Sequence, residues 1–131
     1  MRATPSRPAP ASSAATTADT VLTKAVLRSA GLLGLNNTVL ARAVGLSEAS
    51  ISRMSSGAKV FEVGSKPAEL AALVIRVYRS LDALVGNSDQ HRRVWMTSYN
   101  RALNVIPKEA LQTAEGLVRV VNYLDGARAL A

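Results

Sequence analysis

The chain of 131 residues has no cysteine, and it has only one histidine, one tryptophan and one phenylalanine. Without cysteine there is neither a disulfide nor a thiolate metal site, and the sequence predicts no bound metal and no cofactor. Aromatic residues make up 4% of the chain, and Ala, Leu and Val supply most of its 48% hydrophobic content. That composition favours helices over sheets, so we expect an all-α fold.

Long apolar runs are also missing. The longest, such as LAALVI, are far too short for a membrane span, and the opening MRATPSRPAPASSAATTA lacks the apolar core of a signal peptide. There is no glycine-rich phosphate loop after a strand and no telling pair of carboxylates, so no catalytic residue can be named. We therefore expect a soluble, cytoplasmic protein that is not an enzyme and acts by binding.

The charge is uneven along the chain. The net charge is +7, and residues 1–80 carry ten basic and four acidic side chains, whereas residues 81–131 carry six and five. A basic first part joined to a nearly neutral second part favours contact between the first part and a polyanion such as DNA. Solubility alone is the alternative explanation of the excess.

The first residues differ in composition from the rest. Residues 1–18 are rich in Pro, Ala, Ser and Thr, which predicts a disordered tail. Asp19 or Thr20 can cap a first helix, which Gly31 and Gly34 weaken and end.

The strongest helical pattern is PAELAALVIRVYRSLDALVG, with Pro67 near its start and Gly86 at its end. Its apolar residues lie along one side: Leu70, Leu73, Val74, Val77, Leu81 and Leu84. The position of this helix suggests a spine shared by a first domain over residues 19–66 and a second over 67–131. Shorter helices follow, and Thr113 caps the last one.

The stretch NTVLARAVGLSEASISRM has the pattern of a helix-turn-helix. The first helix needs a small residue where the second crosses it, and the turn needs a residue that accepts positive φ. Ala41 and Gly45, four apart, meet these demands, and Ser47 can cap the second helix. Five apolar residues then fall on the core side: Leu40, Val44, Leu46, Ile51 and Met54. The first domain is thus predicted to be a DNA-binding helix-turn-helix.

Several side chains are candidates for DNA contact, because the second helix would enter the major groove N-terminus first. Ser47 and Thr38 can offer hydroxyls to phosphates, and Lys59 is a phosphate contact or a solvated charge. The outward-facing candidates for base contacts are Glu48, Ala49, Ser52, Arg53 and Ser56. Arg53 suits guanine best, whereas Glu48 either accepts from cytosine or only favours the helix start. These mostly short side chains predict modest affinity, strengthened in a homodimer or higher assembly.

Two stretches of the second half, LVIRVYRSLDALVGNSDQHRRVWMTSYNRAL and QTAEGLVRVVNYLDGARA, resemble the C-terminal toxin-binding domain of the Xre/MbcA/ParS antitoxins. The matching features are Leu81 with the LVG turn, Trp95, Asn100 followed by Ala102-Leu103, Pro107 and TAEGLVRVVNYL. With the Xre-like helix-turn-helix before it, the resemblance covers about residues 20–131. The chain departs from the family before the proline, where LNVI stands in place of a glycine-rich turn. Asn104 can still adopt positive φ there.

The resemblance implies a function. Such antitoxins pair with RES-domain toxins, which consume NAD⁺ or use it to ADP-ribosylate a target. The antitoxin covers the toxin's NAD⁺ site with its C-terminal region and is thought to bind the promoter of its own operon. The residues predicted at the toxin interface are Asn100, Arg119, Asn122, Tyr123, Ala127, Arg128, Ala129, Leu130 and Ala131. Gly126 would permit a break before the small C-terminal end.

Two other interpretations stay open on the residues alone. The chain could be a freestanding helix-turn-helix repressor, whose second half senses a small molecule or forms a dimer. It could also be a pure protein inhibitor with an inactive helix-turn-helix. Four aliphatic residues of the last helix are better explained as core than as interface: Leu117, Val120, Val121 and Leu124. Tyr123 would then only cover that core, and Trp95 would anchor it.

Overall fold

The computed structural model describes residues 15–130 and contains seven α-helices in that range, so the all-α prediction is confirmed. The helices are α1 Thr17–Leu33, α2 Asn37–Val44, α3 Glu48–Ser55, α4 Lys66–Val85, α5 Asp89–Thr97, α6 Pro107–Ala110 and α7 Ala114–Leu130. Outside them, an antiparallel bridge pairs Asn100 with Val105. None of these seven helices is both long and apolar enough to cross a membrane.

Serine and asparagine side chains cap several helix starts, and Ser47 does so as predicted. Asn36 Oδ1 accepts a hydrogen bond from the Val39 N–H at 2.9 Å, and Ser47 Oγ accepts one from the Ser50 N–H at 3.1 Å. Ser88 caps α5 in the same way. Each cap satisfies a backbone donor that the first helical turn leaves without a partner, and this is why these short polar residues begin helices.

Helix α1 begins earlier than predicted. Its cap is Thr16, whose Oγ1 accepts from the Asp19 N–H at 3.0 Å while the Asp19 carboxylate accepts from the Thr16 N–H at 3.2 Å. This reciprocal pair is a capping box, and it overrides Asp19 or Thr20 as the cap. Thr17 and Ala18, which were predicted to belong to the tail, are therefore helical. The start of the predicted tail lies outside the described residues.

Helix α4 packs against α1, α2, α5 and α7, which confirms that it is a shared spine. The side that it buries carries Ala71, Val74, Val77 and Leu81, all with 0% exposure. The predicted stripe is confirmed for the last three of these residues. Leu84, however, is 37% exposed, because the buried surface of α4 is centred on the earlier turns, where its neighbours approach.

Buried side chains from both halves of the chain form one continuous core. It contains Val26 of α1, Leu40 of α2, Val74 of α4, Met96 of α5 and Leu117 of α7. The predicted boundary between residues 66 and 67 falls at the start of α4, the helix that serves both halves. Because the core is common, we expect the two halves to unfold together.

An interior arginine ties α5 to the rest of the fold. Arg92 is 2% exposed; its Nη1 pairs with Asp82 Oδ1 at 2.6 Å and its Nε donates to the Leu32 carbonyl at 2.9 Å. The guanidinium also pairs with Asp89 and lies 5.4 Å from the centroid of the Tyr78 ring. The buried charge is thus paired with two carboxylates and one carbonyl oxygen, as a charge away from water must be paired.

The irregular connector between α3 and α4 is docked on α1. Phe61 is buried and donates its N–H to Thr23 Oγ1 at 2.8 Å, and the Thr23 hydroxyl donates to the Asp19 carbonyl at 2.8 Å. Asp19 Oδ1 accepts from the Val63 N–H at 2.9 Å. Hydrogen bonds from the backbone N–H groups of Val63 and Thr16 hold the pKa of Asp19 below its ordinary value.

Candidate functional site

The helix-turn-helix is formed by α2, a tight turn and α3. Gly45 has φ 74°, the positive φ that the turn requires, and its N–H donates to the Ala41 carbonyl. Ala41 is 3% exposed. The predicted core positions are buried at Leu40, Val44, Ile51 and Met54, whereas Leu46 is half-buried. The spacing therefore does place the apolar residues of both helices against the core.

The opposite side of α3 is turned away from the core. The five residues predicted to face bases are all exposed there: Glu48, Ala49, Ser52, Arg53 and Ser56. Ser47 is exposed at the N-terminus of α3, although its hydroxyl already caps the helix, and Thr38 is half-buried. The structure thus exposes these five residues and Ser47 together on one side, which we call the α3 surface.

Two cationic side chains meet beside the α3 surface. The Ser50 hydroxyl, in a residue that is 6% exposed, accepts from Lys59 Nζ at 3.0 Å and from Arg53 Nη2 at 3.4 Å. Arg53 therefore bends back along its own helix instead of extending away from it. This convergence does not follow from helical spacing, because Lys59 lies in the connector.

A second surface is formed where α7 meets α5. Four aliphatic residues of α7 have 3% exposure or less, so they are core, as expected: Leu117, Val120, Val121 and Leu124. Tyr123 is 36% exposed, and its ring stacks on that of Trp95 with centroids 6.3 Å apart. Trp95 is half-buried against the core.

Three predicted toxin-binding residues lie on the same side of α7. Helical spacing places Arg119, Tyr123 and Leu130 in one line, because they follow each other at intervals of four and seven residues. Leu130 is 90% exposed. We call these three residues with Trp95 the α7 stripe surface. Asn122 and Ala129 are exposed on a neighbouring side of the helix, and Ala127 is half-buried.

Several of the predicted interface residues also have partners within the chain. The Asn100 side chain accepts from the Leu103 N–H at 3.0 Å, and Arg119 Nη2 donates to the Leu103 carbonyl at 2.6 Å. Both therefore stabilise the turn before α6. Asn104 has φ 57° in that turn, so asparagine does take the positive φ expected of it.

The end of α7 differs from the prediction. The helix continues through Gly126 to Leu130, so the predicted break at Gly126 is wrong. The last turn is held on α4, because Arg128 Nη1 donates to Ser80 Oγ at 3.2 Å and Ser80 donates to Asp125 Oδ1 at 2.9 Å. Asp125 also pairs with Arg76 of α4. These contacts favour continuation of the helix.

Residue Ala131, also predicted at the interface, lies outside the described residues. The polar network that holds the last turn was missed by the sequence patterns. A serine at position 80, inside an otherwise apolar helical side, was the one available signal, and nothing local pairs it with position 125.

Two family models match the chain. The antitoxin Xre-like helix-turn-helix domain matches residues 12–76, and the antitoxin Xre/MbcA/ParS C-terminal toxin-binding domain matches residues 80–129. The chain belongs to the Xre/MbcA/ParS-type antitoxins. The two matches meet within α4, so the antitoxin's helix-turn-helix and toxin-binding domains share that helix. No curated protein matches the antitoxin's sequence.

A glycine of the antitoxin's TAEGL motif has a clear structural cause. Gly116 lies in the first turn of α7, where a Cβ would be 2.0 Å from the Ala110 carbonyl oxygen. Only glycine lets α7 start this close to the end of α6. Thr113 completes the junction, since its Oγ1 accepts from the Gly116 N–H at 3.0 Å. The motif therefore sets the geometry between α6 and α7 in the toxin-binding domain.

Proposed function

We propose that the antitoxin neutralises a RES-domain toxin that consumes NAD⁺ or uses it to ADP-ribosylate a target. In this proposal the α7 stripe surface binds the toxin and the C-terminal end covers its NAD⁺ site. The resemblance to the Xre/MbcA/ParS antitoxins supports the identity of the toxin. Membership of an antitoxin family favours this function over that of a freestanding repressor.

The exposure of the α7 stripe surface is the observation that carries the proposal. A single exposed leucine is ordinary, but Leu130, 90% exposed, lies on the same side of α7 as Tyr123, so this side offers several apolar groups to one partner. The stacked Trp95 and Tyr123 rings lie on the same side, and Tyr and Trp are enriched at the centres of protein interfaces. Arg119 is exposed one helical turn before Tyr123, and its guanidinium also donates to the Leu103 carbonyl.

Co-expression with the toxin encoded beside the antitoxin gene tests this proposal. We expect deletion of residues 127–131 to preserve the fold, since residues 127–130 contribute no fully buried side chain, and to restore growth arrest. Leu130→Ala should weaken toxin binding at least tenfold, and Val21→Ala should not. Val21 is a matched control, because it is 61% exposed but lies on α1. Full silencing of the toxin by the deletion variant would contradict the proposal.

We further propose that the α3 surface binds the promoter of the antitoxin's own operon. The support is the exposure of Glu48, Ala49 and Ser52 on a helix that Ser47 caps, and the positive charge of the first 80 residues. Glu48 already contributes one carboxylate to this surface, and a second one at position 52, one helical turn later, would add negative charge inside the groove and repel the DNA. Ser52→Glu should therefore abolish binding in an anisotropy titration with promoter DNA, whereas Val21→Glu should leave it intact.

We also propose that the antitoxin acts as a homodimer or higher assembly. One α3 surface offers few long polar side chains, so a single copy would read few bases, and symmetric pairs on two half-sites would compensate. Light scattering during size-exclusion chromatography, with and without promoter DNA, measures the number of copies. A protein that stays monomeric on DNA would contradict this part. Normal neutralisation without any DNA binding would instead support a pure protein inhibitor.

A further inference from the structure

We infer that Arg53 and Lys59 together clamp one DNA phosphate beside Ser50, so that Arg53 does not contact a base edge, and that Lys24 contacts a second phosphate. This inference rests on the proposed promoter binding and assigns particular side chains to the DNA backbone. It also names Lys24, which the sequence patterns did not select as a DNA contact.

The first support is an excess of donors at Ser50. The hydroxyl oxygen accepts at most two hydrogen bonds, and the Ser47 hydroxyl competes for it at 3.2 Å, whereas Arg53 and Lys59 carry eight N–H groups between them. Lys59 Nζ lies 3.0 Å and Arg53 Nη2 lies 3.4 Å from Ser50 Oγ, so the two cationic groups are within roughly 6 Å of each other. Like charges at that distance repel, and an anion between them would remove the repulsion.

The second support is that neither cation has an ion-pair partner among the described residues. Glu62 lines a cleft next to Lys59 without pairing with it. Apart from those bonded to Ser50, the N–H groups of the two cations have no hydrogen-bond partner among residues 15–130 and can bind an external anion. A phosphate has several oxygens that can accept from both cations at once.

The position of Arg53 explains why a phosphate is the better partner than a base. An arginine that contacts guanine through two hydrogen bonds extends from the helix into the groove. Here the guanidinium bends back toward Ser50, one turn earlier, and so lies at the side of the α3 surface. Phosphates border the groove on that side once the helix has entered it.

Lys24 extends the basic side of the α3 surface. It is exposed on α1 and lines a cleft of about 400 Å³ together with Lys59, Ser56 and Gly57, at the C-terminal end of α3. A strand of DNA held by Lys59 would pass along this cleft. Lys24 is therefore placed to bind a second phosphate on the same strand.

Fluorescence anisotropy over a range of salt concentrations tests the inference. The full chain would be titrated with its promoter fragment and with a scrambled duplex of equal length. The variants are Arg53→Ala, Lys59→Ala, the double variant and Lys24→Ala, with circular dichroism to check folding. Arg93→Ala is the matched control, since Arg93 is an exposed arginine on α5.

The expected result is a pattern of slopes. Each phosphate contact contributes about 0.9 to the slope of log affinity against log salt. The double variant should lose about 0.9 and each single variant clearly less, because the remaining cation still neutralises the shared phosphate. Lys24→Ala should lose up to about 0.9 independently. The affinity ratio between promoter and scrambled DNA should stay within twofold, and Arg93→Ala should change nothing.

Three results would overturn the inference while leaving promoter binding intact. If Arg53→Ala lowered the ratio of the affinities for promoter and scrambled DNA by much more than twofold, Arg53 would contact a base. A loss of about 1.8 in the slope of the double variant would mean two separate phosphates, and an unchanged slope would mean none. If the wild-type antitoxin binds neither duplex, the proposed promoter binding fails first and this inference fails with it.

Discussion

Gly116 offers the sharpest test of the packing in the toxin-binding domain. In Gly116→Ala the new Cβ would lie 2.0 Å from the Ala110 carbonyl oxygen and 2.8 Å from the Ala110 carbonyl carbon. Even a close carbon–oxygen contact needs about 3.3 Å, so α6 and α7 would have to separate by more than about 1 Å. Both opposing atoms are backbone, and no side-chain rotation can relieve the overlap.

The expected cost of Gly116→Ala follows from that overlap. Inserting a methyl group into a packed interior costs about 1–3 kcal/mol, and we expect the upper end here because backbone must move. Alanine is favoured over glycine in a helix by about 0.5–1 kcal/mol, which offsets part of the cost. The net loss should be about 2 kcal/mol, equivalent to a fall in Tm of roughly 5–10 °C for a chain of this size.

Urea and thermal unfolding followed by circular dichroism measure this loss. Gly126→Ala is a matched control on the same helix, because a Cβ at Gly126 meets no atom within 4 Å. It should stabilise the antitoxin by about 0.5–1 kcal/mol. If Gly116→Ala were as stable as Gly126→Ala, the close approach of α6 and α7 would be wrong. Toxin binding by Gly116→Ala should also weaken, since the same junction shapes the toxin-binding domain.

Three further substitutions test the contacts between distant segments. Thr23→Val should lower the free energy of unfolding in urea by about 1–3 kcal/mol, because the buried Phe61 N–H loses its acceptor; an unchanged midpoint would contradict that bond. Arg92→Met should cost about 3–5 kcal/mol, because it leaves the Asp82 carboxylate without its partner, and retention of wild-type stability would refute this. Because folding lowers the pKa of Asp19, the carboxyl group of the unfolded chain takes up its proton first on acidification. The ionised Asp19 therefore stabilises the fold fully above about pH 3.9, and this stabilisation is lost as the pH falls through the lower pKa of the folded state. Asp19→Asn should remove this part of the pH dependence of the unfolding free energy measured in urea. Identical pH profiles for the variant and the wild type would show that Asp19 does not contribute in this way.

Local signals account for most of what the sequence predicted correctly. Ser47 begins a helix because its hydroxyl reaches a backbone donor three residues on, and Gly45 ends one because it tolerates positive φ. Both effects involve neighbours in the chain only. The predicted start of α1 is wrong although its signal is local too, because Thr16 and Asp19, three residues apart, form a capping box.

The candidate surfaces were predicted in part for the same reason. The period of the helix turned Glu48, Ala49 and Ser52 outward as expected, and it placed Tyr123 beside the apolar core of α7. Periodicity says which side of a helix is exposed, but it does not say what lies beside that side. It therefore missed the meeting of Lys59 with Arg53. The break at Gly126 was predicted from the glycine alone, and the helix continues there because its last turn is held on α4.

The sequence by itself determined the helical class, several helix ends and most of the residues that the helices bury, because caps, glycines and apolar spacing act within a few residues. Only the tertiary structure decided that Arg92 lies inside and that Ser80 holds both Asp125 and Arg128. Those partners are brought together when the helices pack on α4, and a polar side chain becomes an interior one only where that packing supplies its hydrogen bonds.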